Sequence, residues 1–273
     1  MAISLVGTAG NTGGTASVTV TLPTLQQGDV VYVAAYGNSF PSGATITANN
    51  SFAAITANQV GLTYNCARWF RKVMGPVPDT SVTLSYNIAS WAAAVAICLR
   101  GVDATTPEDA TPTLSAWTTS NQPNSPSITT VTNGAWVIST FVKVNNAAIG
   151  AAPSGYSNTV SAVHVNSATA AGAMKEVATA GGEDPGAWGT TSTSSAWLGC
   201  TIAVRPEITG SLLRPHPMNG IGGFSFRDPL STLMPRNGIV RRNPGLILPR
   251  MARIMVQGSV VAAKPTNVEH RAH

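Results

Sequence analysis

Residues 28–36 read Gly-Asp-Val-Val-Tyr-Val-Ala-Ala-Tyr, and residues 134–142 read Gly-Ala-Trp-Val-Ile-Ser-Thr-Phe-Val: two strand-like runs, each introduced by glycine. Other landmarks recur behind them in the same order. Pro41-Ser42-Gly43 returns as Pro153-Ser154-Gly155, and the aromatic and basic run Trp69-Phe70-Arg71-Lys72 returns as Met174-Lys175. A Gly/Pro/Asp turn follows in both places (Gly75 to Asp79, Gly181 to Gly186), and Ser90-Trp91-Ala92-Ala93-Ala94-Val95-Ala96 has its counterpart in Ala196-Trp197-Leu198-Gly199-Cys200-Thr201-Ile202. A repeat of this length is a supersecondary unit used twice, and it restricts the fold before any single residue is interpreted. The half-repeats span about 16–103 and 127–205.

Each half offers about four short strands separated by turn residues, the pattern of a sandwich or barrel. The closing strands are apolar at odd and even positions alike, which suits strands covered on both faces. An additional strand, Ala16 to Leu22, is expected to pair at an edge. The segment Asp103 to Pro126 carries Pro107, Pro112, Pro123 and Pro126, so it reads as the link between halves rather than as a helix or a central strand. The predicted fold is all-β: a jelly-roll-like double-sheet sandwich over residues 1–205, built from two pseudo-repeated halves.

Composition supports that class. Only 10% of the 273 residues are charged, against roughly a quarter in a typical soluble domain, and small, hydroxylated and β-branched residues take their place. Residues 1–205 hold seven basic and eight acidic side chains, whereas residues 206–273 hold nine basic and three acidic ones. All of the excess positive charge therefore sits in the last segment. Prolines recur through it, its bases are nearly all arginine, and isolated apolar residues stand between them. Such a sequence cannot close a core, yet it is too apolar for a solvated linker. It is predicted to be an extended arm that lies on a partner through Arg214, Arg227, Arg236, Arg241, Arg242, Arg250 and Arg253, with Phe224 and Phe226 filling shallow pockets. The bases are spaced singly apart from Arg241-Arg242 and mixed with apolar residues, which argues against nucleic acid as that partner.

Catalytic constellations are not found. His164 is the one histidine before residue 206 and sits between Val163 and Val165 on a strand-like run; no nucleophile elbow, phosphate loop or dinucleotide glycine pattern accompanies it. The acids fall in turns and read as solvated. Cys66, Cys98 and Cys200 lie in apolar runs without metal-ligand spacing, so they are expected to be buried thiols in a protein made in a reducing compartment. No cofactor and no metal is expected. No secretory signal is recognised at the start, and the longest apolar run falls far short of the ~20 residues that cross a bilayer. Among the tryptophans, Trp91, Trp136 and Trp197 are expected in the core. Trp117 and Trp188, in looser surroundings, are the candidates for a sugar-stacking surface.

The series Gly-Asp-Val-Val, Pro-Ser-Gly, an aromatic-plus-basic strand, a Gly/Pro/Asp turn and an Ala-rich strand ending Leu99-Arg100-Gly101-Val102-Asp103 resembles the jelly-roll domains of tailed-bacteriophage virion proteins. Ala44 and Tyr156 stand where such domains commonly carry a Trp after the Pro-Ser-Gly turn. The resemblance covers residues 16–205 and implies a role in packing and display, as a head decoration or cement protein or as a tail, collar, baseplate or fibre accessory. It implies location in a virion assembled in a bacterial cytoplasm. The implied partners are other virion proteins (the major capsid protein, or tail and portal-vertex components) and further copies of the chain, as a homotrimer. It supplies no catalytic residues. A carbohydrate-binding adhesion module is the alternative from a different class.

Overall fold

The computed structural model describes residues 1–14, 16–38, 44–61, 65–87, 91–146 and 148–208. These residues form strands, turns and no helix. The first half contains β1 (Ser4–Gly13), β2 (Ser17–Thr21), β3 (Val30–Asn38), β4 (Ile46–Ala48), β5 (Ala53–Ala54), β6 (Gln59–Val60), β7 (Asn65–Val73), β8 (Ser81–Tyr86) and β9 (Trp91–Arg100). The second half contains β10 (Thr113–Leu114), β11 (Thr118–Ser120), β12 (Asn124–Ser125), β13 (Ile128–Thr129), β14 (Ala135–Val144), β15 (Ser157–His164), β16 (Ala168–Val177), β17 (Gly182–Glu183), β18 (Gly186–Ala187) and β19 (Ser195–Val204).

Two six-stranded antiparallel sheets form the centre. One has the order β1-β9-β3-β7-β5, with β6 also on β7; the other has the order β10-β19-β14-β16-β15, with β11 also on β19. The central trio repeats: an opening strand lies between a closing strand and a middle strand in both sheets. The outer layers repeat as well. In the first half the strand before the opening strand pairs with the strand before the closing strand (β2 with β8); in the second the two short strands before the opening strand pair with the two before the closing strand (β12 with β18, β13 with β17).

Side-chain alternation explains why the opening and closing strands are apolar at nearly every position. Val30, Tyr32, Ala34 and Tyr36 of β3, with Ala93, Val95, Ile97 and Leu99 of β9, face the second large sheet. Their neighbours Val31, Val33 and Ala35, with Ala92, Ala94, Ala96 and Cys98, face the small sheet formed by β2, β8 and β4. In the second half, Ile138 and Val142 point inward while Val137 and Phe141 point to the outer ribbons. The sandwich is therefore four layers deep with three apolar cores, deeper than the two layers expected from the strand count. The missing layers were hard to foresee because their strands are only two to six residues long.

The two large sheets meet with opposite strand orders, so β1 lies over β15 and β9 over β16. Glycines permit this approach. A Cβ on Gly10 would lie 2.9 Å from the Ser161 carbonyl oxygen, and one on Gly172 would lie 3.0 Å from Ile97 Cδ1. Toward the other edge Tyr36, Trp69 and Trp117 fill the space; the ring centroids of Tyr36 and Trp117 are 6.3 Å apart. β1 was not anticipated, because the Gly- and Thr-rich run at 4–13 lacks a clean apolar alternation. It is held instead as an edge strand along the whole length of β9.

Candidate functional site

Asn38, Asn65 and Trp91 terminate adjoining strands at one end of the first large sheet, beside Gly13. In the second sheet Val144, His164, Ala168 and Ser195 lie at the same end, since the Asn38 amide donates to the Ser167 carbonyl at 3.1 Å. We call this the distal end. At the opposite, proximal end the chain leaves β9 and β19 side by side: Val102 bridges Pro206, and the Asp103 amide donates to the Arg205 carbonyl.

The proximal end carries two matching carboxylate–guanidinium clasps. Arg100 ends β9 and Arg205 follows β19. Arg100 donates to both oxygens of Asp29 at 2.8 Å, and Arg205 Nε lies 3.3 Å from Asp109 Oδ1. Each carboxylate also caps the turn that precedes its half's opening strand. Asp29 accepts the Gln26 amide, and Asp109 accepts the amides of Val131 and Thr132. The glycine closing each turn, Gly28 or Gly134, has φ +87° or +73°, a conformation that favours glycine. The clasps use carboxylates from different elements, one beside β3 and the other on the link between halves. Burial would raise the Asp109 pKa, but hydrogen bonds from Thr132, the two turn amides and Arg205 outweigh it and hold the carboxyl below its ordinary value. Both carboxylates are buried, which corrects the expectation that these acids are solvated turn residues. Their work is structural: every oxygen contact named here is to a turn or to an arginine.

The remaining candidates resolve residue by residue. Trp188 is 0% exposed, so its assignment as a surface aromatic is corrected. It packs edge-on against Phe141 at 4.9 Å between centroids, and its indole donates to Ser139 Oγ. Ser139 donates to Ser125, and Ser125 to the Thr140 carbonyl, which satisfies the polar groups at the middle of β14. Trp117 is half-buried against the central core. Trp197 is buried and donates to Ser120 Oγ at 2.9 Å, whereas Trp91, expected in the core, is 38% exposed. The Arg and Phe residues predicted to bind a partner (Arg214, Phe224, Phe226, Arg227, Arg236, Arg241, Arg242, Arg250 and Arg253) lie outside the described residues.

Lys143 was not singled out by its sequence. It is 0% exposed, and its ammonium donates to the carbonyls of Ser120 and Thr193 and to the Thr191 hydroxyl. Burial lowers its pKa. The three cysteines are buried free thiols; burial raises Cys66 to about 11 and Cys98 to about 12, and raises Cys200 as well. None is poised as a nucleophile. Among the described residues, no three His, Cys, Asp or Glu side chains gather where they would hold a metal ion. A groove of about 370 Å³ in the outer layer is lined by Thr113, Thr129, Glu183, Asp184 and neighbours, but Glu183 is committed to Lys175 at 2.7 Å. The geometry thus offers buried structural pairs. No family model, curated protein or solved structure matches the chain.

Proposed function

We propose that the chain is a structural protein of a tailed-phage particle, a capsid decoration or cement protein of jelly-roll descent anchored by residues 206–273. The observation that carries this reading is the division of charge. The sandwich binds most of its few charges into internal pairs, while the following segment holds a net excess of six positive charges among prolines and isolated apolar residues. A self-satisfied β-domain joined to a basic, apolar-studded segment suits display plus anchorage, with arginines pairing with carboxylates on the shell or on neighbouring copies. Closed symmetric assembly, as a homotrimer, would cover exposed strand edges.

The test is truncation after Ile208. Pro206 bridges Val102 and the Glu207 amide donates to the Gly101 carbonyl, so the cut belongs beyond these contacts. Particles assembled with the truncated protein should lack it, while the purified fragment stays folded. Full incorporation of the fragment would overturn the anchoring role. Copy number per particle separates the two placements: hundreds indicate a head coat, and about a dozen or fewer a tail or collar position.

A further inference from the structure

The borders of the two large sheets differ in how they are finished. The β7 border of the first sheet carries the two-residue strands β5 and β6, and the β19 border of the second carries the short strands β10 and β11. The other border of the first sheet, β1, has β2 folded against it. There the Asn11 side-chain amide donates to the Thr19 carbonyl, and a Cβ on Gly13 would lie 2.7 Å from the Ser17 carbonyl oxygen. β15 is different. It is eight residues long, and among the described residues its backbone pairs with β16 alone. An antiparallel border strand turns every second N–H and C=O away from its neighbour, so β15 presents a row of such groups along its outer side.

Border strands that stay single are blunted by charge or proline. β15 has no proline, and the whole run from Val144 to Met174 contains no Asp, Glu, Lys or Arg. Val160 and Ala162 point into the central core, so Ser161 and Val163 point outward; Ser161 is exposed and Val163 is 37% exposed. The strand is also its own complement. Turned about a two-fold axis at Ala162, a second β15 brings Ser161 opposite Val163 twice, Val160 opposite His164 twice, and Ala162 opposite itself. Outward residues then meet outward ones and inward residues inward ones, as a shared sheet requires. The pairing uses the regular stretch 160–164 and leaves out the irregular step between Ser157 and Val160. Identical charges would face one another across such an axis, and this strand has no Asp, Glu, Lys or Arg to repel its own copy.

We propose that two copies of the chain join through β15, antiparallel, so that the second large sheet runs on from one copy into the other. The outer backbone groups of residues 160–164 then form a ladder, and each Val163 is covered beside the other copy's Ser161. The contact is isologous. By itself it makes a dimer, and it links trimers in pairs where a three-fold assembly forms as well. It uses no part of residues 206–273 and stands whether or not the domain is carried on a particle.

The experiment is sedimentation equilibrium of the full chain. The double variant Ser161→Lys, Val163→Lys sets like charges opposite each other and should halve the sedimenting mass, and Ser161→Glu, Val163→Glu should do the same. Mixing the two variants should restore the wild-type mass, with one copy of each in every pair. Both positions face solvent, and circular dichroism checks that each variant is folded. Should either misfold, an isotope-filtered NOE experiment on mixed labelled and unlabelled wild-type chain looks for Ser161–Val163 contacts between copies, and their absence overturns the proposal. It is overturned too if the wild-type chain is monomeric, if its assembly survives the paired lysines, or if the mixture of variants stays dissociated.

Discussion

Asp109 shows how much one side chain holds together at the proximal end: Arg205 and the two amides of the turn before β14 converge on its carboxylate. Asp109→Asn keeps the shape but removes the charge, leaving a half-buried guanidinium and weakened amide acceptors. We expect a loss of about 2–3 kcal/mol in denaturant unfolding at pH 7. The native carboxyl titrates below its ordinary value, while the unfolded one titrates near ~3.9. Its contribution is therefore complete above about pH 4 and is lost as the pH falls through the depressed native value. The Asn variant should show a shallower loss of stability between pH 5 and pH 2. Gly10 makes a different demand, because its missing Cβ faces a backbone carbonyl that cannot swing away. Gly10→Ala should cost about 1–3 kcal/mol, and Gly172→Ala, which meets only the tip of Ile97, should cost less; thermal melts of the pair decide.

β14 and β19 illustrate what an element can carry beyond its hydrogen-bond ladder. Lys143 on β14 ties Ser120 to the 191–193 segment, and these together cover Trp197. Lys143→Met would free the core of a buried amine but take a donor from the Ser120 and Thr193 carbonyls and from the Thr191 hydroxyl. We expect a net loss of about 1–3 kcal/mol, with faster amide exchange confined to residues 118–121 and 190–197 and a red shift of tryptophan emission. Unchanged exchange there would contradict the clamp. The same strand corrects a landmark of the repeat. Inward-facing residues are odd-numbered in β9 (Ala93, Val95, Ile97) but even-numbered in β19 (Leu198, Cys200, Ile202), so Arg100 coincides with Arg205 and Trp91 with Ala196. The two tryptophans matched in sequence are thus one residue out of register and lie on opposite faces.

At the level of the whole molecule, the central core takes side chains from the inner faces of both large sheets. Neither half can open without exposing the other's interior. The fragment 1–208 should unfold in one cooperative transition, with far-ultraviolet circular dichroism and tryptophan emission giving coincident midpoints. Two separated midpoints would show that the halves are independent units.

Composition and the order of turn residues were enough to establish an all-β sandwich, and the doubly apolar closing strands already required cover on both sides. These are legible because strand periodicity and turn chemistry are local properties of the chain. The burial of Trp188, the exposure of Trp91 and the clasp at Asp109 were decided by tertiary structure alone. The first and last of these depend on which distant segment arrives opposite a residue: β14 beneath Trp188, the turn at 131–132 beside Asp109. A single-residue offset between two similar strands is invisible in a sequence match, yet it puts the two indoles on opposite faces of their sheets, with Trp197 on the outward face bonded to Ser120.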